Sequence, residues 1–231
     1  MWKRHLSFSL SFGLIALLNL FSEMLNIAEA QLFTKPLICI FLSIYLVSKT
    51  KLYGVFSKLI VGGLVFSLTG DIALIFADKR ETFFLIGLGA FLLAHVFYSL
   101  GFFRDYKYDP LASGKYGRIM FFIVGMFAFS FFIWIIPHIA DIKIPVLVYT
   151  LAISIMAILA GYRYQRVSLP SFQFILIGAI LFLISDTLLA INKFVLPFSY
   201  SGVFIMATYI SAQYLITIGA LERNIALKKD V

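Results

Sequence analysis

Long apolar blocks alternate with short polar and charged segments along the whole chain. Most of these blocks are close to the roughly 20 residues that a helix needs to cross a bilayer. We therefore predict membrane-spanning helices at residues 6–27, 36–48, 58–77, 83–103, 118–137, 145–162, 170–192 and 198–220. The second block is short, and we expect its helix to begin a few residues before 36. The fold class is thus all-α: a polytopic membrane protein with eight transmembrane helices, or seven if two blocks form one broken helix.

The composition supports a single integral membrane domain over residues 1–231. Of all residues, 62% are hydrophobic and only 13% are charged. A soluble domain is roughly half apolar and about a quarter charged. A chain of this size cannot bury so much apolar surface in its own core, so lipid must act as its solvent.

The basic residues that give the chain its net charge of +8 are distributed unevenly between the two sides of the membrane. With the N-terminus in the cytoplasm, 14 of the 19 Lys and Arg residues, from Lys3 and Arg4 to Lys228 and Lys229, lie on the cytoplasmic side. This bias predicts that both termini are cytoplasmic, in the inner membrane if the source is bacterial. Because topology explains the excess of basic residues, we expect no nucleic-acid partner. The first apolar block resembles a signal peptide but is long for one, which favours an uncleaved first helix.

A shift of 115 residues aligns the two halves of the chain. It superposes Gly63 on Gly178, Leu68 on Leu183, Asp71 on Asp186 and Leu74 on Leu189. Because four crossings return the chain to its starting side, spans 1–4 and 5–8 would form two parallel four-helix halves. Each aspartate lies six residues before the end of its predicted span, which is about 9 Å below the non-cytoplasmic surface. We expect the two carboxylates to face each other across a central cavity.

Ionisable residues inside the spans are the candidates for chemistry, because each costs a few kcal/mol to insert. They are Glu23, Asp71, His95 and Asp186. Two buried carboxyl groups can share one proton near neutral pH, which gives a general acid beside a general base. The alternative is that both aspartates only stabilise the helix bundle through hydrogen bonds to backbone or hydroxyl groups.

Several other polar residues could line the same cavity. His95 and Tyr98 share a helical face, and His95 is expected about 9 Å deeper than the aspartates. His95 would either form hydrogen bonds across helices or act as a proton relay or substrate-orienting group. Ser185, Tyr209 and Gln213 could contact a substrate or simply form hydrogen bonds between helices.

Glu23 and Lys35 lie near the outer surface. They either reach towards water or contact the amine and phosphate of a lipid headgroup.

The sequence predicts no bound metal and no cofactor. A zinc hydrolase site commonly uses three protein ligands, often histidines, and the three histidines here fall in distant segments. Mixed ligation by His95, Asp71 and Asp186 is the weaker alternative. Phosphate-binding loops and the Gly-x-Ser-x-Gly elbow are both missing from the sequence.

Four segments carry a specific family resemblance. They are Gly-Asp-Ile-Ala-Leu at 70–74, Ala-His-Val-Phe-Tyr at 94–98, Gly-Ala-Ile-Leu-Phe-Leu-Ile-Ser-Asp-Thr-Leu-Leu-Ala at 178–190, and Tyr-Ile-Ser-Ala-Gln-Tyr-Leu-Ile at 209–216. On these segments and its length, the chain resembles the YhhN family over nearly all of its residues.

The resemblance implies a function and a pair of catalytic residues. Members of the family include lysoplasmalogenases, membrane hydrolases that cut the vinyl-ether bond of lysoplasmalogens. The products are a fatty aldehyde and a glycerophospho-ethanolamine or -choline, and no cofactor is needed. The family's proposed catalytic pair matches Asp71 and Asp186, and the partners would be a lysophospholipid substrate and membrane lipids.

Two other functions are compatible with the residues alone. The first is a proton- or cation-coupled transporter that uses the aspartates as a relay. The second is a structural or lipid-binding membrane protein without turnover.

Overall fold

Eight long helices make up the computed structural model, which describes residues 2–77, 79–109, 112–139 and 142–225. Lys228, Lys229 and the side chains of Lys3 and Arg4 lie outside this described part. The helices are α1 (Trp2–Met24), α2 (Ala28–Thr50), α3 (Val55–Ile75), α4 (Glu81–Tyr108), α5 (Lys115–Ile135), α6 (Lys143–Tyr162), α7 (Leu169–Ala190) and α8 (Ser201–Leu221). Eight helical segments are long and apolar enough to cross a membrane, which confirms the predicted all-α fold with eight spans.

The second helix begins before residue 36, as expected, but by eight residues rather than a few. Helix α2 begins at Ala28 and contains Pro36 in its interior. A proline is tolerated inside a transmembrane helix where neighbouring polar groups satisfy the backbone that it disturbs. Here the first turns of α2 are polar: Gln31 donates a hydrogen bond to the Ser22 carbonyl, and Thr34 donates one to the Ala30 carbonyl. This polar turn hid the start of the helix from a hydropathy criterion.

The helix positions agree with two halves offset by 115 residues. Helices α2 and α6 begin at residues 28 and 143, and α3 and α7 begin at 55 and 169. Tyr98 on α4 and Gln213 on α8 are 115 positions apart and contact each other directly, since the Tyr98 hydroxyl donates a 2.7 Å hydrogen bond to Gln213. Two equivalent positions can touch only near the axis that relates them. The pair therefore marks a pseudo-twofold axis between the halves.

The glycine match of the repeat reflects close helix contact. A Cβ atom at Gly63 would lie 2.3 Å from the Tyr98 ring, and one at Gly178 would lie 2.9 Å from Ile216. A larger residue at Gly63 would require the Tyr98 ring or helix α4 to shift, and one at Gly178 would press on the Ile216 side chain and the backbone of α8. These glycines thus hold each half together around the axis.

A buried ionic network closes the end of the bundle that carries both termini. The Asp105 carboxylate on α4 accepts hydrogen bonds of 2.8 Å from Arg163 and from Arg223. Arg163 also donates to the backbone and side chain of Ser171. Burial lowers the pKa of the Arg163 guanidinium from its ordinary value, and Asp105 opposes that shift. The network ties α4, α7 and the segments that follow α6 and α8 into one unit.

Candidate active site

Asp71 lies in a closed cluster formed by α2, α3 and α8. The Tyr209 hydroxyl donates a 2.7 Å hydrogen bond to the Asp71 Oδ2 atom. The Cys39 thiol lies 3.5 Å from the same oxygen and 3.2 Å from the Tyr209 hydroxyl. Asp71 is only 4% exposed. Its carboxylate is therefore enclosed by protein groups on the helices that surround it.

Asp186 lies in a second cluster, formed by α4, α6 and α7. The Tyr149 hydroxyl donates a 2.5 Å hydrogen bond to the Asp186 Oδ2 atom. The His95 Nε2 atom is 3.5 Å from the same oxygen. The 115-residue offset relates α2 to α6, α3 to α7 and α4 to α8, so the two clusters use equivalent helices. The bundle thus contains two pseudo-symmetric carboxylate sites with different side chains around them.

The two carboxylates do not face each other across one cavity, contrary to the expectation from the sequence. Within the described ranges, no hydrogen bond or ion pair joins them. The contacts that connect them run through the ring of Phe182, whose centroid lies 5.5 Å from that of Tyr209 and 4.7 Å from that of His95. Aromatic side chains fill the centre of the bundle, where the cavity was expected.

Asp186 lines an apolar crevice that runs between α4, α5, α6 and α7. The crevice is narrow: its accessible volume is about 60 Å³, well below the roughly 300–1,000 Å³ of usual small-molecule sites. Apart from Asp186, Tyr149 and two threonines, its walls are apolar. They consist of Phe84, Leu88, Phe127, Ala128, Phe131, Val146, Ile153, Leu183, Leu189, Ala190 and Phe194. The arrangement places one carboxyl group in a narrow crevice with largely apolar walls.

His95 lies beside Asp186 rather than well below it. The helix ends explain only part of the error in the depth estimate. A π-helical turn continues α7 over Ile191–Val195, so Asp186 is nine residues rather than six from the end of the helical segment, which is about 4–5 Å deeper than expected. His95 is fully buried, and neither of its ring nitrogens has a hydrogen-bond partner among the described residues.

Three other predicted residues connect helices. Tyr98 and Gln213 hydrogen-bond to each other on the pseudo-twofold axis. The Ser185 hydroxyl donates a 3.0 Å hydrogen bond to the Ile205 carbonyl of α8. The sequence left two roles open, contact with a substrate or hydrogen bonding between helices, and these contacts are of the second kind.

Glu23 and Lys35 form an ion pair of 2.8 Å near the end of the bundle opposite the two termini. Glu23 also lines a polar cavity with residues 24, 26 and 198–202. A Cβ atom at Gly202 would lie 2.3 Å from a Glu23 carboxylate oxygen. The carboxylate therefore sits against the first turn of α8, where the helix dipole favours negative charge.

Tyr149 and Cys39 are the contact residues that sequence reasoning missed. Tyr149 is one of 12 tyrosines and stands in an apolar span without an ionisable neighbour, so nothing in its local pattern singles it out. Cys39 is the single cysteine of the chain and stands in an apolar stretch, so its local pattern indicates only packing. Among the described residues, no group of three or more His, Cys, Asp or Glu side chains is arranged to hold a metal ion.

Comparison with known proteins identifies the family. A family model described as the YhhN family matches residues 30–220. The chain belongs to the YhhN family. Human lysoplasmalogenase TMEM86A is 33% identical over 168 residues, which cover 69% of this chain and 64% of that protein. Human lysoplasmalogenase TMEM86B is 30% identical over 188 residues, covering 81% and 73%.

A bacterial protein is similar to the same degree. The lysoplasmalogenase of Mycobacterium bovis is 31% identical over 163 residues, covering 69% of this chain and 59% of that protein. The chain thus matches less than two thirds of the length of several of these curated relatives, human TMEM86A among them. No solved structure matches the chain significantly.

Proposed function

We propose that this protein is a membrane hydrolase that cleaves the vinyl-ether bond of lysoplasmalogens. Relatives at about 30% identity carry the name lysoplasmalogenase. The observation that carries the proposal is the crevice, in which the Asp186 carboxyl group meets largely apolar walls. A lysoplasmalogen has one aliphatic chain with the vinyl ether at its polar end. With the chain in the crevice, the vinyl ether would lie near Asp186.

The proposed reaction begins with proton transfer to carbon. Protonated Asp186 gives its proton to the vinyl carbon farther from the ether oxygen, and the double-bond electrons form the new C–H bond. The carbon next to the oxygen becomes an oxocarbenium centre. The cation is stabilised by the carboxylate that has just formed, as in glycoside hydrolysis. The Tyr149 hydrogen bond at 2.5 Å stabilises that carboxylate.

Water then completes the reaction. Its oxygen bonds to the oxocarbenium carbon, and the Asp186 carboxylate accepts the proton, which restores the acid. The resulting hemiacetal loses its hydroxyl proton and breaks its C–O bond to the glycerol, while a proton goes to the leaving oxygen. The products are a fatty aldehyde and the glycerophospho-ethanolamine or -choline. One carboxyl group can perform both proton transfers, so the mechanism needs no direct contact between Asp186 and Asp71.

We propose that Asp71 supports this chemistry from a distance. The family resemblance assigns the catalytic pair to both aspartates, but the Asp71 carboxylate is separated from Asp186 by Tyr209, Phe182 and His95. Asp71 would hold Tyr209, and through it the aromatic wall behind the crevice. In this mechanism Asp71 is a positioning residue.

The decisive experiment is aldehyde release from lysoplasmalogen by the purified protein in detergent. Wild-type protein should release aldehyde, whereas Asp186→Asn should lose about 10²- to 10⁴-fold in kcat, the usual contribution of a general acid. Glu29→Gln is the matched control, because Glu29 is an exposed carboxylate in the first turn of α2. Wild-type protein without turnover, or full turnover by Asp186→Asn, would contradict the proposal. Detergent also excludes transport as the source of the signal, because transport requires a sealed membrane.

A further inference from the structure

His95 is a buried polar side chain whose hydrogen-bonding groups are unused. It is fully buried, yet neither Nδ1 nor Nε2 has a hydrogen-bond partner among the described residues. Its surroundings are aromatic, with the centroids of Phe182 and Tyr149 at 4.7 Å and 5.2 Å from its own. Leaving such groups unpaired costs folding free energy. An imidazole kept there at that cost indicates a partner that arrives during function.

A partner that binds the His95 ring would also lie beside the Asp186 carboxylate. Its Nε2 atom is 3.5 Å from the Asp186 Oδ2 atom, but the two do not form a hydrogen bond. Asp186 lines the apolar crevice. A buried water needs two to four polar partners, and the imidazole and the carboxylate supply both donor and acceptor groups at one point. The crevice wall beside Asp186 is largely apolar and offers few such positions.

We infer that His95 and Asp186 together hold the water molecule that attacks the oxocarbenium carbon. This inference rests on the proposed function. The water oxygen forms the new C–O bond, its proton passes to the Asp186 carboxylate, and His95 keeps the attacking oxygen directed at the carbon. His95 is thus a catalytic residue of the water-addition step. The step needs no oxidant, reductant or further reactant.

The inference predicts that His95 matters for turnover and not for folding. His95→Leu removes both nitrogens and leaves an apolar side chain in apolar surroundings, so the unfolding temperature should stay at or above that of the wild type. Turnover should fall about 100-fold or more. The loss should appear in kcat rather than in KM, because His95 is absent from the walls of the crevice that would hold the chain. A purely structural imidazole would lower the unfolding temperature as well.

The test compares wild-type protein, His95→Leu and His95→Gln in detergent, with aldehyde release and thermal unfolding measured on each. Gln keeps one donor and one acceptor near the water and should retain more activity than Leu. Tyr214→Phe is the control, since its hydroxyl contacts Ser9 between α1 and α8, outside the crevice.

Three results would overturn the inference. They are near-wild-type turnover by His95→Leu, a fall of several degrees in its unfolding temperature, and a Gln variant no better than Leu. Wild-type protein that releases no aldehyde would instead refute the proposed function, and with it this inference.

Discussion

Replacing Tyr149 by Phe tests the Asp186 site with the smallest change available. The substitution removes one hydroxyl group and keeps the ring, which is buried against His95. The lost contact is the 2.5 Å hydrogen bond that the hydroxyl donates to Asp186. In the proposed mechanism Asp186 becomes a carboxylate as it protonates the vinyl carbon. The hydrogen bond therefore strengthens towards the transition state.

The magnitude follows from the charge on the acceptor. A hydrogen bond to a charged group contributes about 1.5–3 kcal/mol, and a tenfold change in rate corresponds to about 1.36 kcal/mol. Tyr149→Phe should therefore lower kcat/KM by about 10- to 150-fold. The apolar ring stays in place, so the thermal unfolding temperature should change little.

The assay is aldehyde release from lysoplasmalogen in detergent over a range of substrate concentrations. Tyr214→Phe serves as the matched control, because it also loses one hydroxyl contact, the one at 2.5 Å to Ser9, away from the crevice. If Asp186→Asn is inactive but the kcat/KM of Tyr149→Phe is within about twofold of the wild-type value, the role given to this hydrogen bond is refuted. A loss above about 1,000-fold would also refute it, because it exceeds what one hydrogen bond to a charged group can supply.

Three further predictions concern the rest of the molecule. Asp105→Asn should destabilise the protein by about 3–5 kcal/mol, because it leaves the buried Arg163 guanidinium without its counter-charge. Chemical denaturation in detergent measures this change, and an unchanged unfolding midpoint would contradict the prediction. Tyr209→Phe should lower turnover less than Tyr149→Phe does, because its hydroxyl contacts the enclosed carboxylate; an equal or larger loss would show that the closed cluster is the reacting site. In a background without the native cysteine, an impermeant thiol reagent applied to intact cells should label Ser199→Cys and leave Ser113→Cys unlabelled, as expected if both termini are cytoplasmic. The reverse pattern would invert the topology.

The length and spacing of the apolar blocks determined the fold class and the number of helices. A lipid-exposed backbone must satisfy its own hydrogen bonds, so a long apolar block has essentially one solution, a helix. The 115-residue match of Gly63 and Asp71 with Gly178 and Asp186 also showed the internal repeat, since glycine at a close helix contact and acid in a span are both unusual enough to be informative. Helix ends were less well predicted. A polar first turn lowers the hydropathy where α2 begins, and a π-helical turn extends the helical segment beyond the end of α7, so hydropathy predicted neither boundary.

Only the tertiary structure decided which side chains meet. The spans are apolar on all sides, so no stripe of polar residues tells from the sequence which face of α6 or α7 turns inward. The rotation of each helix is determined by contacts with its neighbours, such as that between Gly63 and Tyr98. In the folded protein the Tyr149 hydroxyl lies against Asp186, and Asp186 lines the crevice. Asp71, in contrast, is enclosed and accepts a hydrogen bond from Tyr209. Two acids that look equivalent in the sequence therefore have different surroundings in the folded protein.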